Sequence, residues 1–566
     1  MNFDSEMAKA GMGIRPAHTV FRGGQIVNVF TGEVYRADVA VENGMIVGIG
    51  SYAGEHVVDI SGKILCPGFL DAHLHLESTL VTPSELVENA VKCGTTTYIV
   101  DPHESANVSG AAGIDYILEE TEEVPANVYV MMPSCVPALP FEDNGCTFTA
   151  EEMKQYRNHP RVLGLGEVMD HISVIQAEPS MLEKLELFSD QVCDGHIMTT
   201  DEKQLSTYLA AGVRTNHECT TYAEAKQQCR LGMHIHVRQG SAARNLDALV
   251  SGLVAEGIDT SAWSFCTDDK HIEDIRREGH IDHCVRRAVE LGMKPVDAIR
   301  MATYNTAQCY GLKQLGAVAP GYWADLVALD GLDTLNVCAV YYHGKNVADF
   351  HAQPKLPADS PLRTSIHCAP VELEDFAHPV SDESRVIELI PGQLVTNDIT
   401  AQLPQENGFF APDETYSKLA VIERHRASGK MGVAAVRGFG IRGGAVASSV
   451  AHDSHNLSVI GDNDADMLLA VQELQRTGGG YTVVSGGKVL HTVPLPIMGL
   501  MSDAGFSEVQ DTLAAMLEDV HRLGVPDNIE PFILLSFLAL PVIPTLRLTP
   551  RGLFDVTRME FVEKQN

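Results

Sequence analysis

The chain is 566 residues long, 45% hydrophobic and 20% charged, an ordinary globular composition with core enough for two or three domains. Its 75 acidic against 41 basic residues leave a formal charge of −34, which disfavours phosphate backbones and anionic lipid as partners and otherwise reads as a solvated surface. The twelve cysteines form no Cys-x-x-Cys pair, which argues against a zinc ribbon or a thioredoxin-type centre.

Residues 1–15 mix charges and lack the apolar stretch of a secretory leader. The most apolar run, 532–544, is too short and too interrupted by proline to cross a bilayer. The expectation is a soluble cytoplasmic protein with reduced thiols. Residues 19–65 alternate apolar and polar, with turn signals at 30–32, 42–44 and 61–62, and predict short antiparallel strands. From 64 to about 313 the pattern changes to apolar strand-length runs separated by amphipathic helical stretches, the signature of βα units and a parallel sheet.

Eight such runs stand at 64–75, 95–102, 127–133, 162–169, 192–197, 213–218, 233–239 and 263–268. Helical patterns include 82–92, 201–211, 222–231 and 282–291. Thr82-Pro83 and Thr221 sit at helix starts, and Gly94, Gly212, Gly232 and Gly292 sit where helices stop. Eight units fit a closed (β/α)8 barrel of the TIM type, with an open doubly wound sheet as the alternative. The stretches 316–329 and 337–347 return to short strands that rejoin the N-terminal ones. Residues 351–383, rich in Pro, Ser and His, read as a linker. Beyond 384, strands separated by glycine turns at 478–480 and 486–487, with a helix at 465–475, read as a further α+β unit. The predicted architecture is therefore α/β: a small discontinuous β-sandwich from 1–65 and 314–350, a barrel over 66–313, and a C-terminal α+β domain over 384–566.

His73 and His75 stand two apart at the end of the first barrel run, so both imidazoles face one side of a strand. That spacing alone is weak: with 23 His in the chain about one His-x-His arises by accident, and His234 and His236 form a second. The context strengthens it. Glu167 ends the fourth run, His196 the fifth, His217 and Glu218 the sixth and Asp268 the eighth, all at C-terminal strand ends, where barrels carry their chemistry. A single His or Glu there is usually a solvated or hydrogen-bonded group. Seven together would be poorly solvated without a cation, and imidazole with carboxylate suits divalent zinc, manganese or iron.

The stretch Pro67-Gly-Phe-Leu-Asp-Ala-His-Leu-His-Leu-Glu-Ser resembles the opening motif of the amidohydrolase superfamily. More narrowly, the whole chain resembles the adenine deaminase family. The matching stretches include Asp101-Pro-His-Glu-Ser-Ala-Asn-Val, Gly166-Glu-Val-Met, Asp194-Gly-His, Arg214-Thr-Asn-His-Glu-Cys-Thr-Thr and Cys266-Thr-Asp-Asp-Lys. In the C-terminal third they include Ser448-Ser-Val-Ala-His-Asp-Ser-His-Asn and Pro494-Leu-Pro-Ile-Met-Gly-Leu-Met-Ser-Asp. The resemblance implies hydrolytic deamination of adenine to hypoxanthine and ammonia in purine salvage, by a metal-activated hydroxide at a binuclear centre holding manganese or iron, with zinc an option. Carried over by position, His73, His75, His196 and His217 would be ligands and Glu167 would bridge. Asp268 would bind metal and shuttle the proton.

Charge builds on ring N1 during attack at C6, so a protonated acid or donor there should help. Glu218 is the candidate, a carboxylate orienting His217 the alternative. Glu77, His103, Arg238 and Ser241 are candidate substrate contacts, with structural hydrogen bonding the alternative reading for His103 and its neighbour Glu104. His234 and His236 read as core or pocket wall. The cluster His452-Asp453-Ser454-His455-Asn456 either reaches the barrel mouth, or holds an ion, or is a hydrogen-bonded turn. Gly438-Phe-Gly-Ile-Arg-Gly443 satisfies a literal G-x-G-x-x-G, but a strand-like run follows it, against a dinucleotide site.

Three positions depart from the family pattern: Gln239 where Glu is usual, Asn216 where Asp is usual, and Ile197-Met198-Thr199-Thr200 in place of an Ala-Pro-Gly loop. They leave the ligands intact and bear on substrate choice, so a modified adenine, another aminopurine or a cyclic amide is the alternative substrate class. A non-catalytic scaffold is the alternative of another kind. The missing Cys-x-x-Cys excludes the zinc deaminase fold built on His-x-Glu and Pro-Cys-x-x-Cys. The expected partner is a small molecule, with no nucleic acid or membrane, and a homo-oligomer is the default assembly.

Overall fold

Gly68 divides the 64–75 run into two strands with different destinations. A side chain there would collide with Thr96, so the backbone can pass close only without one. Before it, Ile64–Pro67 pairs antiparallel with Leu326–Leu329 and parallel with Gln25–Val27. After it, Phe69–Leu74 enters the barrel, so the single strand predicted from the apolar run is two. The computed structural model describes residues 3–241, 243–391 and 393–562.

The barrel strands are β1 (Phe69–Leu74), β2 (Thr95–Val100), β3 (Asn127–Pro133), β4 (Val162–Val168), β5 (Val192–Gly195), β6 (Thr215–Asn216), β7 (His234–Arg238) and β8 (Trp263–Cys266). β1 to β5 form one parallel sheet and β6 to β8 another. Two parallel bridges join them: Cys193 to Val213 on one side and Leu74 to Asp268 on the other. The second carries backbone hydrogen bonds from Asp268 N–H to the His73 carbonyl at 3.0 Å and from His75 N–H to the Asp268 carbonyl at 3.4 Å. The ring thus closes between the candidate ligands themselves. The predicted helices are present as Pro83–Lys92, Glu202–Ala210, Tyr222–Arg230 and Ile281–Glu290. Asp201 caps the second by accepting from Lys203 and Gln204 N–H, and Thr221 and Glu224 form a capping box on the third.

Strands from both sides of the barrel in sequence build a two-sheet unit. A four-stranded sheet runs in the order Met45–Gly50, Asp38–Glu42, Ala17–Arg22, Gly54–Asp59. It faces a six-stranded sheet that includes Leu326–Leu329 and Val337–Tyr342. Phe21, Ile26, Val41, Leu65, Leu326 and Tyr341 fill the space between them.

The C-terminal part is an eight-stranded sheet from Ser384–Leu389 to Lys488–Pro494, antiparallel except where Ser384–Leu389 lies beside Met431–Arg437. Helix Asp464–Thr477 packs on it through Met467, Ala470, Val471 and Leu474. The stretch 351–383, read as a linker, holds only short 3-10 turns yet is tied down. Phe376 is buried in the same core, and Glu88 accepts from Ala352 N–H at 2.7 Å. After Gly443 comes the strand Gly444–Ser448, not a helix, so the glycine motif does not open a dinucleotide site. Among the described residues no helix is long and apolar enough to cross a membrane.

Candidate metal centre

β1 delivers His73 and His75 to one face with their Nε2 atoms 3.2 Å apart. His75 Nδ1 lies 2.8 Å from the Asp101 carbonyl, an acceptor, so Nδ1 carries a proton and Nε2 is the nitrogen turned to the centre. Glu167, from β4, places Oε1 2.9 Å from His73 Nε2, 3.5 Å from His75 Nε2 and 3.1 Å from His217 Nε2. His196 Nδ1 stands 3.8 Å from the same oxygen. One carboxylate oxygen therefore meets four imidazoles, the geometry of a bridging ligand. His217 stacks on His73 with centroids 4.2 Å apart. Asp268 lies just past β8 at φ +56°, a left-handed conformation that a short polar residue tolerates. Its Oδ1 is 3.2 Å from His75 Nε2 and 3.5 Å from His73 Nε2.

All six donors are brought together, in two overlapping groups: His73, His75, Glu167 and Asp268, and Glu167, His196 and His217. The donor set fits one or two divalent ions. His196 Nδ1 and His217 Nε2 are buried without a hydrogen-bond partner, as nitrogens kept for a ligand would be.

Burial opposes charge on the carboxylates, but their partners win. His75 and His73 hold Glu167 well below the usual carboxylate range. Arg238, with hydrogen bonds from His73 and His75, does the same for Asp268. Burial lowers His217, while Glu167 and Glu218 outweigh it and push the ring up to about 9. The field that binds those protons is the field that would bind a cation.

Glu218 differs from its expected role. Arg238 donates to both of its oxygens, with Nη2 to Oε2 at 3.1 Å, and against the cost of burial it holds the carboxyl far below its ordinary value. Glu218 is thus an ionised acceptor rather than a protonated acid. Its Oε1 stands 3.3 Å from His217 Nε2, the nitrogen that also faces Glu167. Arg238 also donates to Asp268 Oδ2 at 2.9 Å, so it positions two carboxylates at once.

A cavity of about 640 Å³ opens over these groups. His103 and Arg238 line it, but Glu77 and Ser241 do not. Glu77 is buried and accepts from Ser105 N–H at 3.0 Å. Ser241 donates to Asp274 and accepts from His271 N–H at 2.9 Å, closing a loop. His234 and His236 bond to Ser264 and Tyr310, within the barrel wall. The C-terminal part supplies the outer wall through Leu394, Val395, Phe537, Leu540, Val542 and Ile543, with His452 and Asp453 beside them. The apolar run that is too short for a membrane is this cover. Its length and prolines were legible, but its docking place was not.

Of the departures, Asn216 is wholly buried, donating to the Ile197 carbonyl and Gln228 at 2.8 Å each and accepting from Ile197 and Glu218 N–H. Gln239 turns towards His283. Met198 is the one that lines the cavity.

A closed barrel with a His-x-His strand end, a carboxylate shared among four imidazoles and a late aspartate is the arrangement of a class of metal-dependent hydrolases. Residues 64–355 match the amidohydrolase family profile, and residues 393–560 match the adenine deaminase C-terminal domain. Adenine deaminase of Desulfitobacterium hafniense (strain Y51) is 51% identical over 558 residues, covering 98% of both chains. That of Geobacillus kaustophilus (strain HTA426) is 44% identical over 559 residues, covering 96% of each. Adenine deaminase 2 of Carboxydothermus hydrogenoformans is 43% identical over 564 residues, covering 98% of each. The chain belongs to the adenine deaminase family of amidohydrolases.

Proposed function

We propose that the chain hydrolyses adenine to hypoxanthine and ammonia, as part of purine salvage in the cytoplasm, with manganese or iron at the six-donor centre. The observation that carries this reading is the single Glu167 oxygen facing four imidazoles beneath a cavity covered by the family's C-terminal domain. All twelve cysteines are unpaired, in keeping with a reducing compartment.

His73, His75, His196, His217, Glu167 and Asp268 would hold the ions. When bound, the metal supplies Lewis acidity, making a nearby water acidic enough to act as nucleophile near neutral pH. Asp268 Oδ1 faces His75 Nε2 among the donors that would hold the ions, and Arg238 keeps the carboxylate ionised and aimed. Asp268 takes the proton of the attacking water and passes it to the amine leaving C6. Glu218 neutralises Arg238, so the guanidinium holds Asp268 without leaving an unpaired buried charge. The apolar residues of the cover exclude water and hold the purine plane. The enzyme works in this reading as a homo-oligomer on a small molecule.

The test is loss of adenine absorbance with release of ammonia by the manganese-loaded protein. If a different aminopurine or a cyclic amide is consumed while adenine stays intact, the substrate assignment is wrong.

A further inference from the structure

Next to the barrel centre lies a second set of donors that the mechanism does not use. His103 and Glu104 open the helix His103–Ser109 just after β2. His452 and Asp453 lie in the loop between the C-terminal strands Gly444–Ser448 and Leu457–Gly461. The two pairs meet across the seam between barrel and cover. His452 Nδ1 is 3.4 Å from Glu104 Oε1 and 3.8 Å from Asp453 Oδ1, and His103 Nε2 is 3.7 Å from Asp453 Oδ1. The ligand atoms of His103, His452 and Asp453 lie within 4.8 Å of one another.

Both carboxylates are buried, yet Glu104 Oε2 and Asp453 Oδ2 have no hydrogen-bond partner. Among the described residues imidazoles are the basic groups paired with them; no Lys or Arg is in ion-pair range. Two buried carboxylates, each with one oxygen unpartnered and only imidazoles in ion-pair range, form a site that a divalent cation would satisfy, although Glu104 Oε1 also accepts from Ser78 Oγ–H at 2.9 Å. The ring nitrogens are disposed for it. His103 Nε2 stands 3.7 Å from Asp453 Oδ1, outside hydrogen-bond distance, and its Nδ1 is buried without a hydrogen-bond partner. His455 is excluded as a ligand, because its Nδ1 accepts from Ala451 N–H at 3.2 Å and its Nε2 therefore carries the proton.

The loop is also held in place. His425 Nε2 donates to the Ser454 carbonyl at 2.7 Å, Asn456 Nδ2 donates to the Asp143 carbonyl at 2.9 Å, and Phe537 stacks on His452. A preformed site costs little reorganisation on binding.

We propose that His103, Glu104, His452 and Asp453 bind a divalent transition-metal ion that is separate from the barrel centre and fastens the C-terminal cover to the barrel mouth. None of the six barrel donors belongs to the set, so the proposal stands whatever the substrate.

The test uses the full chain, stripped with a chelator and reloaded with manganese chloride alone. Metal content per chain is compared among wild type, Asp453→Asn, His452→Gln and His73→Ala. The expected result is that each seam variant holds one ion fewer than wild type, while His73→Ala loses barrel metal and keeps the seam ion. Equal metal content in wild type and both seam variants would overturn the proposal. Should those variants not fold, anomalous diffraction from manganese-loaded wild-type crystals decides. A peak about 2.0–2.3 Å from His103 Nε2, His452 Nδ1 and a carboxylate oxygen supports the site. Peaks confined to the six barrel donors overturn it.

Discussion

Arg238 Nη1 donates to Asp268 Oδ2 at 2.9 Å, leaving Oδ1 turned to the imidazoles. The guanidinium thereby fixes which oxygen of Asp268 faces the imidazoles. Arg238→Gln should therefore lower kcat by about 10²-fold or more, the usual cost of misplacing a proton-transfer group. It should also move the acid limb of the rate profile upward, because the charge holding Asp268 low is gone. Full pH profiles of variant and wild type check this. An unshifted acid limb would detach Asp268 from that limb.

His73 and His75 share the strand end that closes the barrel, so removing one imidazole removes a ligand while the backbone bridge to Asp268 remains. His73→Ala is expected to cut turnover by more than about 10³-fold and to reduce bound metal, with little change in far-ultraviolet circular dichroism. Unchanged activity would remove this centre from the reaction.

Protons and metal ions compete for the same nitrogens. His217 is pushed up to about 9 in the folded chain, above the roughly 6.5 of an unfolded histidine. A raised pKa lends stability that is fully present below the unfolded value and is lost as pH rises through the folded one. The His217 contribution to the metal-free chain should thus fade between about pH 6.5 and 9. Metal binding, which needs the neutral ring, should tighten over the same span and release protons. Calorimetric manganese titration in two buffers of different ionisation enthalpy measures that release, and identical heats in both would contradict it.

Asn216 uses both ends of its amide in a dry place. Asn216→Asp would lose the donor to Ile197 and Gln228 and bury a charge. It is expected to cost about 2–4 kcal/mol of stability without changing the preferred purine. Met198→Ala should do the reverse, raising KM several-fold while leaving the melting temperature within a few degrees. Thermal melts and steady-state kinetics on the two variants separate these outcomes.

The βα alternation made the eight barrel strands readable, and the helix stops at Gly94, Gly212, Gly232 and Gly292 followed from local chemistry. The six donors were readable for the same reason: strand ends sit at predictable places in a barrel. What sequence spacing could not convey was pairing across the fold. Glu218 looks like an available acid until Arg238, twenty residues on, is seen to grip both its oxygens. Ser241 looks like a pocket residue until Asp274 and His271 claim its hydroxyl. The break at Gly68 was hidden because both halves of the run are apolar and only their partners differ.

The pairing of Ile64–Pro67 with Leu326–Leu329 spans the entire barrel. A nascent chain therefore emerges from the ribosome with that strand lacking one neighbour, and must wait through the synthesis of all eight βα units before Leu326 arrives. Until then an apolar ribbon edge is open to other chains. Truncations ending near residue 313 should accordingly precipitate or engage chaperones, whereas those that extend past Tyr342 can satisfy the edge from within.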